Sequence, residues 1–201
     1  MNVAVIGIGN MGIHHARIYN EMKNVNLVSL SDIDEKSGSK CTKKYKCKFY
    51  KDYKEMLKNE KTDAVSIAVP TSLHKEVALT VADKNIDMLI EKPIAENIPS
   101  ALKIINVAQK KDLVLMIGHI ERFNPAIIKL KKILDSKILG EIISLNIKRV
   151  GIFPPRIKDS NVIIDLAIHD IDISSYLLDS YPDTVFARGG SALLNEREDY
   201  A

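Results

Sequence analysis

Cysteine is scarce in this chain of 201 residues: only Cys41 and Cys47 are present. Two cysteines make no disulfide framework, and no ligand cluster surrounds them, so they read as reduced structural thiols and no metal site is expected. Long apolar runs are missing too; none approaches the roughly 20 residues that cross a bilayer as a helix. An excess of one charge is also lacking, with a formal net charge of +3. The small surplus is local, ten lysines between Lys36 and Lys61. These alternate with Tyr45, Phe49, Tyr50, Met56 and Leu57, the pattern of amphipathic elements with a solvated basic face rather than of a nucleic-acid or membrane surface. There is no internal repeat and no low-complexity tract. The first expected strand begins at Asn2, which leaves no room for a signal peptide, so the expected compartment is the cytoplasm.

What is present is a core-forming composition, 46% hydrophobic and 27% charged, long enough for one large domain or one and a half ordinary ones. The most informative segment comes first. Gly7-Ile8-Gly9-Asn10-Met11-Gly12 follows the apolar run Val3–Ile6 and precedes a helical pattern from about Asn10 to Asn20. Strand before and helix after are the context in which G-x-G-x-x-G points to a dinucleotide. The first glycine permits the turn, the second lets a pyrophosphate approach the backbone, and the third lets helix and strand pack closely. The helix N-terminus then offers free N–H groups to phosphate. A second strand, Asn26–Ser31, runs into Asp32, twenty residues past Gly12, where a carboxylate binds the adenosine ribose hydroxyls. That acid repels a 2′-phosphate, so the expected cofactor is NAD rather than NADP.

Strand and helix patterns alternate through the first 120 residues: strands at Leu27–Ser31, Phe49, Ala64–Val69, Asp87–Ile90 and Leu113–Ile117, with helices over 35–45, Tyr53–Lys58, Ser72–Asp83 (Ser72 as N-cap) and Ser100–Lys110. Near-continuous apolar strands in this rhythm predict an α/β fold, a doubly wound parallel sheet of the Rossmann type over residues 1–120. A second, partial domain is expected over 121–201. It carries a helix at Pro125–Leu134, an alternating segment Glu141–Val150, a Pro154-Pro155 loop, a helix from about Ile164 to Leu178 and a strand at Thr184–Arg188. The alternation predicts an open, mainly antiparallel sheet with one solvated face. Two strands rarely stand alone, so this half is expected either to self-associate through 141–150 and 184–188 or to belong to a longer protein.

Several residues are placed to do chemistry. Val69-Pro70-Thr71 closes the fourth strand, and ligands of doubly wound sheets bind at carboxyl ends of strands, so Pro70 and Thr71 are expected to line the pocket. His74, one turn on, is read equally well as a pocket residue or as a helix-face histidine bonded to solvent. Glu91-Lys92-Pro93 ends the fifth strand. A lysine there is able to stabilise a developing alkoxide, with Glu91 as its pairing partner and Pro93 fixing the turn. Gly118–Pro125 contains His119, Glu121 and Arg122, either the wall of a cleft or an interdomain salt-bridge cluster. Asp165 and His169 lie four apart on one face of a predicted helix, and Asp172 continues the stripe. Spacing alone leaves open general-base chemistry or a helix-dipole acid beside an exposed histidine.

The glycine motif, Glu91-Lys92-Pro93 and Asp165-x-x-x-His169-Asp170, in that order and over essentially the whole chain, resemble the glucose–fructose oxidoreductase / inositol dehydrogenase / rhizopine-catabolism family of NAD(P)-dependent dehydrogenases. The resemblance implies a Rossmann domain followed by an α/β domain bearing the substrate site and a homo-oligomer interface. It implies Lys92 and His169 as the catalytic pair, with Asp165 holding or polarising the substrate hydroxyl. It further implies dinucleotide contacts from Gly7, Gly9, Asn10, Met11, Gly12, Asp32, Val69, Pro70, Thr71, His74, Glu91, Lys92 and Pro93, and sugar contacts from Lys92, His119, Arg122, Asn124, Arg156, Asp165 and His169. A narrower resemblance, in Gly118–Pro125 and Gly151–Arg156, is to members that oxidise the 3-hydroxyl of a UDP-linked N-acetylhexosamine. The alternatives are another sugar or cyclitol as substrate, or an NAD-binding relative without turnover. Neither nucleic acid nor membrane is an expected partner.

Overall fold

The apolar run after Met1 becomes an inner strand of a sheet. In the computed structural model, which describes residues 1–151, 161–192 and 198–201, the chain falls into two units, 1–118 and 119–201. The first contains β1 (Asn2–Ile6), α1 (Gly12–Glu21), β2 (Asn26–Ser31), α2 (Glu35–Tyr45), β3 (Lys48–Tyr50), α3 (Tyr53–Asn59), β4 (Ala64–Ile67), α4 (Thr71–Asp83), β5 (Asp87–Ile90), α5 (Ile98–Lys110) and β6 (Leu115–Ile117). All strand pairs are parallel, in the order β3-β2-β1-β4-β5-β6. This is the doubly wound order whose reversal, between β1 and β4, opens a ligand crevice.

The two-residue period of the strands sorts their side chains onto opposite faces. Ala4, Ile6, Val65 and Ile67 join one apolar cluster with Val77, Val81 and Ile104, while Val3 and Val5 join another with Ala16, Leu27, Leu30, Cys41 and Tyr45. Each large side chain of this kind contributes about 1.5–3 kcal/mol on full burial. Ser66, between Val65 and Ile67, therefore faces away from the first cluster, and it is fully buried.

Register aligns the strand ends. Ile6 pairs with Ser31 and with Ile67, Ile67 with Ile90, and Ile90 with Ile117. Gly7, Asp32, Ala68, Glu91 and Gly118, each one residue further on, consequently share one edge of the sheet. Boundaries differ from the sequence reading by a few residues. β4 stops at Ile67, and α1 starts at Gly12. α4 starts at Thr71 with Pro70 at its N-cap, so Ser72 is not the cap. α5 begins two residues before Ser100, because Asn97 accepts the Ser100 N–H at 2.9 Å.

The second unit contains a 3-10 turn (Ile120–Phe123), α6 (Pro125–Asp135), a π-helical turn (Ile163–Ala167) and α7 (Ile168–Leu178). Ile173 and Leu177 of α7 are buried. Tyr176 lies under two cations, Arg122 at 5.5 Å and Lys131 at 5.9 Å from its ring centre. The strands expected at Glu141–Val150 and Thr184–Arg188 are not strands here. Among the described residues this unit has only an isolated antiparallel bridge, Gly190 to Tyr200. The alternation does have a consequence: Leu145, Ile147 and Arg149 line one hollow with Leu166, Ile171 and Ser174. An alternating pattern gives two faces, but a strand also needs a neighbour for its N–H and C=O groups. Among the described residues no helix is long and apolar enough to cross a membrane.

Candidate functional site

The turn after β1 is built so that only glycine fits at two of its three glycine positions. Gly7 has φ +85°, and a Cβ there would lie 2.7 Å from the Ala68 carbonyl carbon. A Cβ on Gly12 would lie 1.8 Å from the Gly7 carbonyl oxygen. At Gly9 a Cβ would meet nothing within 4 Å, so that backbone faces open space. α1 then begins with no side-chain cap at Met11. An open, glycine-lined backbone feeding an uncapped helix start suits a pyrophosphate, because the first N–H groups of a helix have no partner within it. Asn10 and Met11 are exposed beside it.

Asp32 stands at the end of β2. Its Oδ2 accepts the Ile8 N–H at 2.7 Å and its Oδ1 accepts the Asp34 N–H at 2.8 Å. Each carboxylate oxygen has a second lone pair for a hydroxyl donor. The residues present thus fit a dinucleotide: the glycine turn, the helix start and the Asp32 carboxylate lie along one sheet edge.

Val69, Pro70 and Thr71 follow β4 on that edge. His74 is buried, 1% exposed. Its Nδ1 lies 2.8 Å from the Pro93 carbonyl oxygen and its Nε2 3.0 Å from that of Val69. The solvent-bonded reading of His74 does not hold: both ring nitrogens face the protein's own carbonyls. Its place is a tie between the turn after β4 and the turn after β5.

Glu91-Lys92-Pro93 forms the second of those turns, with a cis Lys92–Pro93 peptide bond. Glu91 is buried. One carboxylate oxygen lies 2.9 Å from Nε2 of His15, and the other accepts the Lys92 main-chain N–H at 3.3 Å. His15, to which the sequence assigned no role, also approaches Ser66 Oγ at 3.0 Å through Nδ1. The available signal was helical: His15 and Tyr19 are four apart, beside the small packed residues Gly12 and Ala16.

In the second unit, Arg122 forks onto Asp172, Nε to Oδ2 at 2.8 Å and Nη2 to Oδ1 at 2.5 Å, and these bonds raise the guanidinium above its ordinary value. His119 Nδ1 lies 3.6 Å from the same carboxylate. Asn124 caps α6, accepting the Ala126 N–H at 3.0 Å and donating to Glu121 at 3.2 Å. Residues 119–125 therefore take part in a salt-bridge cluster, but one internal to the second unit instead of interdomain. Arg122 and Asn124 have structural partners where sugar contacts were expected. Asp172, read as part of a catalytic stripe, belongs to this cluster.

Asp165 lies on the π-helical turn and His169 in the first turn of α7. π-turns are rare and recur at functional sites; a 3.6-residue pattern cannot reveal one. Asp170 is held by Arg149, Nη2 to Oδ1 at 2.8 Å, a partner the sequence reading missed. Arg156, with the rest of the Ile152–Arg156 loop segment, lies outside the described residues.

Residues 1–119 match the family model described as the oxidoreductase family, NAD-binding Rossmann fold, of the Gfo/Idh/MocA proteins, and residues 127–201 match the C-terminal domain model of the same family. The chain belongs to the Gfo/Idh/MocA family. It is 33% identical to a UDP-N-acetylglucosamine 3-dehydrogenase of Acidithiobacillus ferrooxidans, over 98% of this chain and 61% of that protein. It is 28% identical to a myo-inositol 2-dehydrogenase of Thermotoga maritima, over 98% of this chain and 60% of that one. The solved structure of the Acidithiobacillus enzyme superposes with a TM-score of 0.85 at 34% identity, covering 96% of this chain and 61% of that one. A scyllo-inositol dehydrogenase from Lactobacillus casei, solved with NAD(H) and scyllo-inositol, shares the fold, with a TM-score of 0.78 at 18% identity, covering 89% of this chain and 56% of that one. The chain thus spans about 60% of the length of the curated relatives it matches.

Proposed function

We propose that this Gfo/Idh/MocA chain carries the dehydrogenase machinery for a sugar hydroxyl, with NAD as oxidant and the 3-hydroxyl of a UDP-linked N-acetylhexosamine as the favoured substrate. The observation that carries the reading is the shared sheet edge: the open backbone at Gly9, the Asp32 carboxylate and the Lys92 turn follow β1, β2 and β5 of one parallel sheet. The substrate assignment rests on the 33% identity to UDP-N-acetylglucosamine 3-dehydrogenase. A cyclitol is the second reading, favoured by the 28% identity to myo-inositol 2-dehydrogenase.

When bound, NAD supplies the hydride acceptor, C4 of the nicotinamide. The chain's residues do the rest. Gly7, Gly9 and Gly12 shape the phosphate cradle, and Asp32 receives the ribose hydroxyls. Lys92 donates to the substrate hydroxyl and stabilises the negative charge that grows as its proton leaves. His169 receives that proton, and Asp165 orients the hydroxyl. Val69, Pro70, Thr71 and Pro93 line the dinucleotide side by backbone and ring contacts.

NADH formation measured against UDP-N-acetylglucosamine, UDP-N-acetylgalactosamine, myo-inositol and scyllo-inositol tests the assignment. Turnover with a UDP sugar and none with the cyclitols is the expected result. The reverse pattern overturns the substrate, and NAD binding without turnover on any of the four makes the chain a non-catalytic relative.

A further inference from the structure

His15 lies on the helix that begins at the phosphate cradle, but its side chain is directed at the lysine turn. Glu91 and His15 are both largely buried, their side chains 9% and 11% exposed. A carboxylate only accepts hydrogen bonds, so Nε2 of His15 carries the proton in the 2.9 Å contact with Glu91. In the neutral ring Nδ1 is then the acceptor. Ser66 Oγ, 3.0 Å away, supplies its hydrogen. Tyr19 hydroxyl, 2.6 Å from the same oxygen, donates to Ser66 in turn. The chain Tyr19 to Ser66 to His15 to Glu91 is matched at every link, and it ends on a carboxylate whose other oxygen holds the Lys92 N–H. Space is reserved for that carboxylate as well: a Cβ on Gly118 would come 3.1 Å from Glu91 Oε2.

We propose that His15 is a positioning residue for Lys92, acting through Glu91; this rests on the role given to Lys92 above. Without the ring, the buried Glu91 loses a donor and turns toward another. The bond that sets the Lys92 backbone is lost with it. The same histidine fixes the lysine turn to α1, so the helix that receives phosphate and the residue that meets substrate are held in one frame.

The test compares His15→Leu, which keeps volume without a donor, with His15→Gln, whose amide keeps one donor and one acceptor. The expected result for His15→Leu is a kcat lower by about 100-fold, the effect of an ångström-scale misplacement, with the Kd for NAD changed less than about threefold. His15→Gln recovers most of that loss. Amide hydrogen exchange in the cofactor-free protein gives a second readout that needs no turnover. Exchange at Lys92 quickens by roughly tenfold in His15→Leu, through local opening, and stays near wild type in His15→Gln. Ring nitrogen spectra give a third, the Nε2–H tautomer in the wild-type protein. Unchanged kcat and Lys92 exchange in His15→Leu, a Gln variant as impaired as Leu, or an Nδ1–H tautomer overturns the proposal. A wild-type chain without turnover on any substrate defeats the dehydrogenase reading, while the exchange and ring spectra still decide the His15 brace.

Discussion

Gly12 and Gly7 are in backbone contact: a Cβ added to Gly12 would fall 1.8 Å from the carbonyl oxygen of Gly7. Flexible side chains cannot relieve this, because the obstacle is main chain. Gly12→Ala is expected to cost about 3 kcal/mol, the upper end for overpacking. Gly7→Ala adds backbone strain at φ +85°. Gly9→Ala is expected to melt like wild type, since nothing lies within 4 Å of its Cβ position, yet to lose NAD binding. Thermal melting and calorimetric titration separate the two effects; a Gly9→Ala variant that binds NAD as tightly as wild type removes Gly9 from the cradle.

Asp32 accepts two main-chain N–H groups and presents its remaining lone pairs at the end of β2. NAD is expected to bind more tightly than NADP, because a 2′-phosphate would meet a carboxylate. Asp32→Ser narrows the difference. Calorimetry with both cofactors checks it, and equal or tighter NADP binding to the wild-type chain defeats the assignment.

Lys92→Ala and His169→Ala are each expected to lower kcat by about two orders of magnitude or more, the scale of a lost acid–base or electrostatic group. His169→Ala should leave the Kd for NAD nearly unchanged. Steady-state kinetics with the best substrate, paired with NAD titration, reads both quantities. A variant that turns over like wild type takes its residue out of the mechanism.

Burial pushes the Cys47 thiol up to about 11, and raises that of Cys41. Thiolate is the reactive form, so both cysteines should react slowly with a thiol reagent at pH 7 in the native protein. Denaturant should release two fast equivalents. Rapid labelling of the native chain would contradict the burial of these side chains.

The second unit leaves large apolar groups in water: Ile143 is 98% exposed, Val150 80%, Val185 74% and Phe186 91%. Exposed apolar surface of this kind marks a contact face. The chain is expected to self-associate through 141–150 and 184–188, with mass rising with concentration in light scattering. Ile143→Lys with Phe186→Lys should return it toward the monomer; a wild-type chain that is monomeric at all concentrations refutes the interface.

Local features were legible and distant ones were not. The glycine turn, its flanking strand and helix, and Asp32 are set within 32 consecutive residues, and the alternation of apolar strands with helices carries the parallel sheet. By contrast, His15 meets Ser66 and Glu91 across separations of 51 and 76 residues, and no periodicity records that meeting. His74 shows the same limit: helical spacing marks its face, but not the Pro93 carbonyl nineteen residues away. The π-helical turn under Asp165 has a hydrogen-bond step that a 3.6-residue pattern does not record. The alternation in Glu141–Val150 predicts a strand but does not make one, because pattern describes faces, whereas a strand is defined by pairing.

By itself, then, the sequence determined the Rossmann unit, the glycine turn after its first strand and the identity of the acid at the end of β2, because each follows from short-range sterics and two- or four-residue periods. Tertiary structure decided what the charged side chains do. It gave Arg122 to Asp172, His74 to two main-chain carbonyls and Glu91 to His15, because a buried polar group must find a partner, and which partner is within reach depends on how distant strands and helices are brought together.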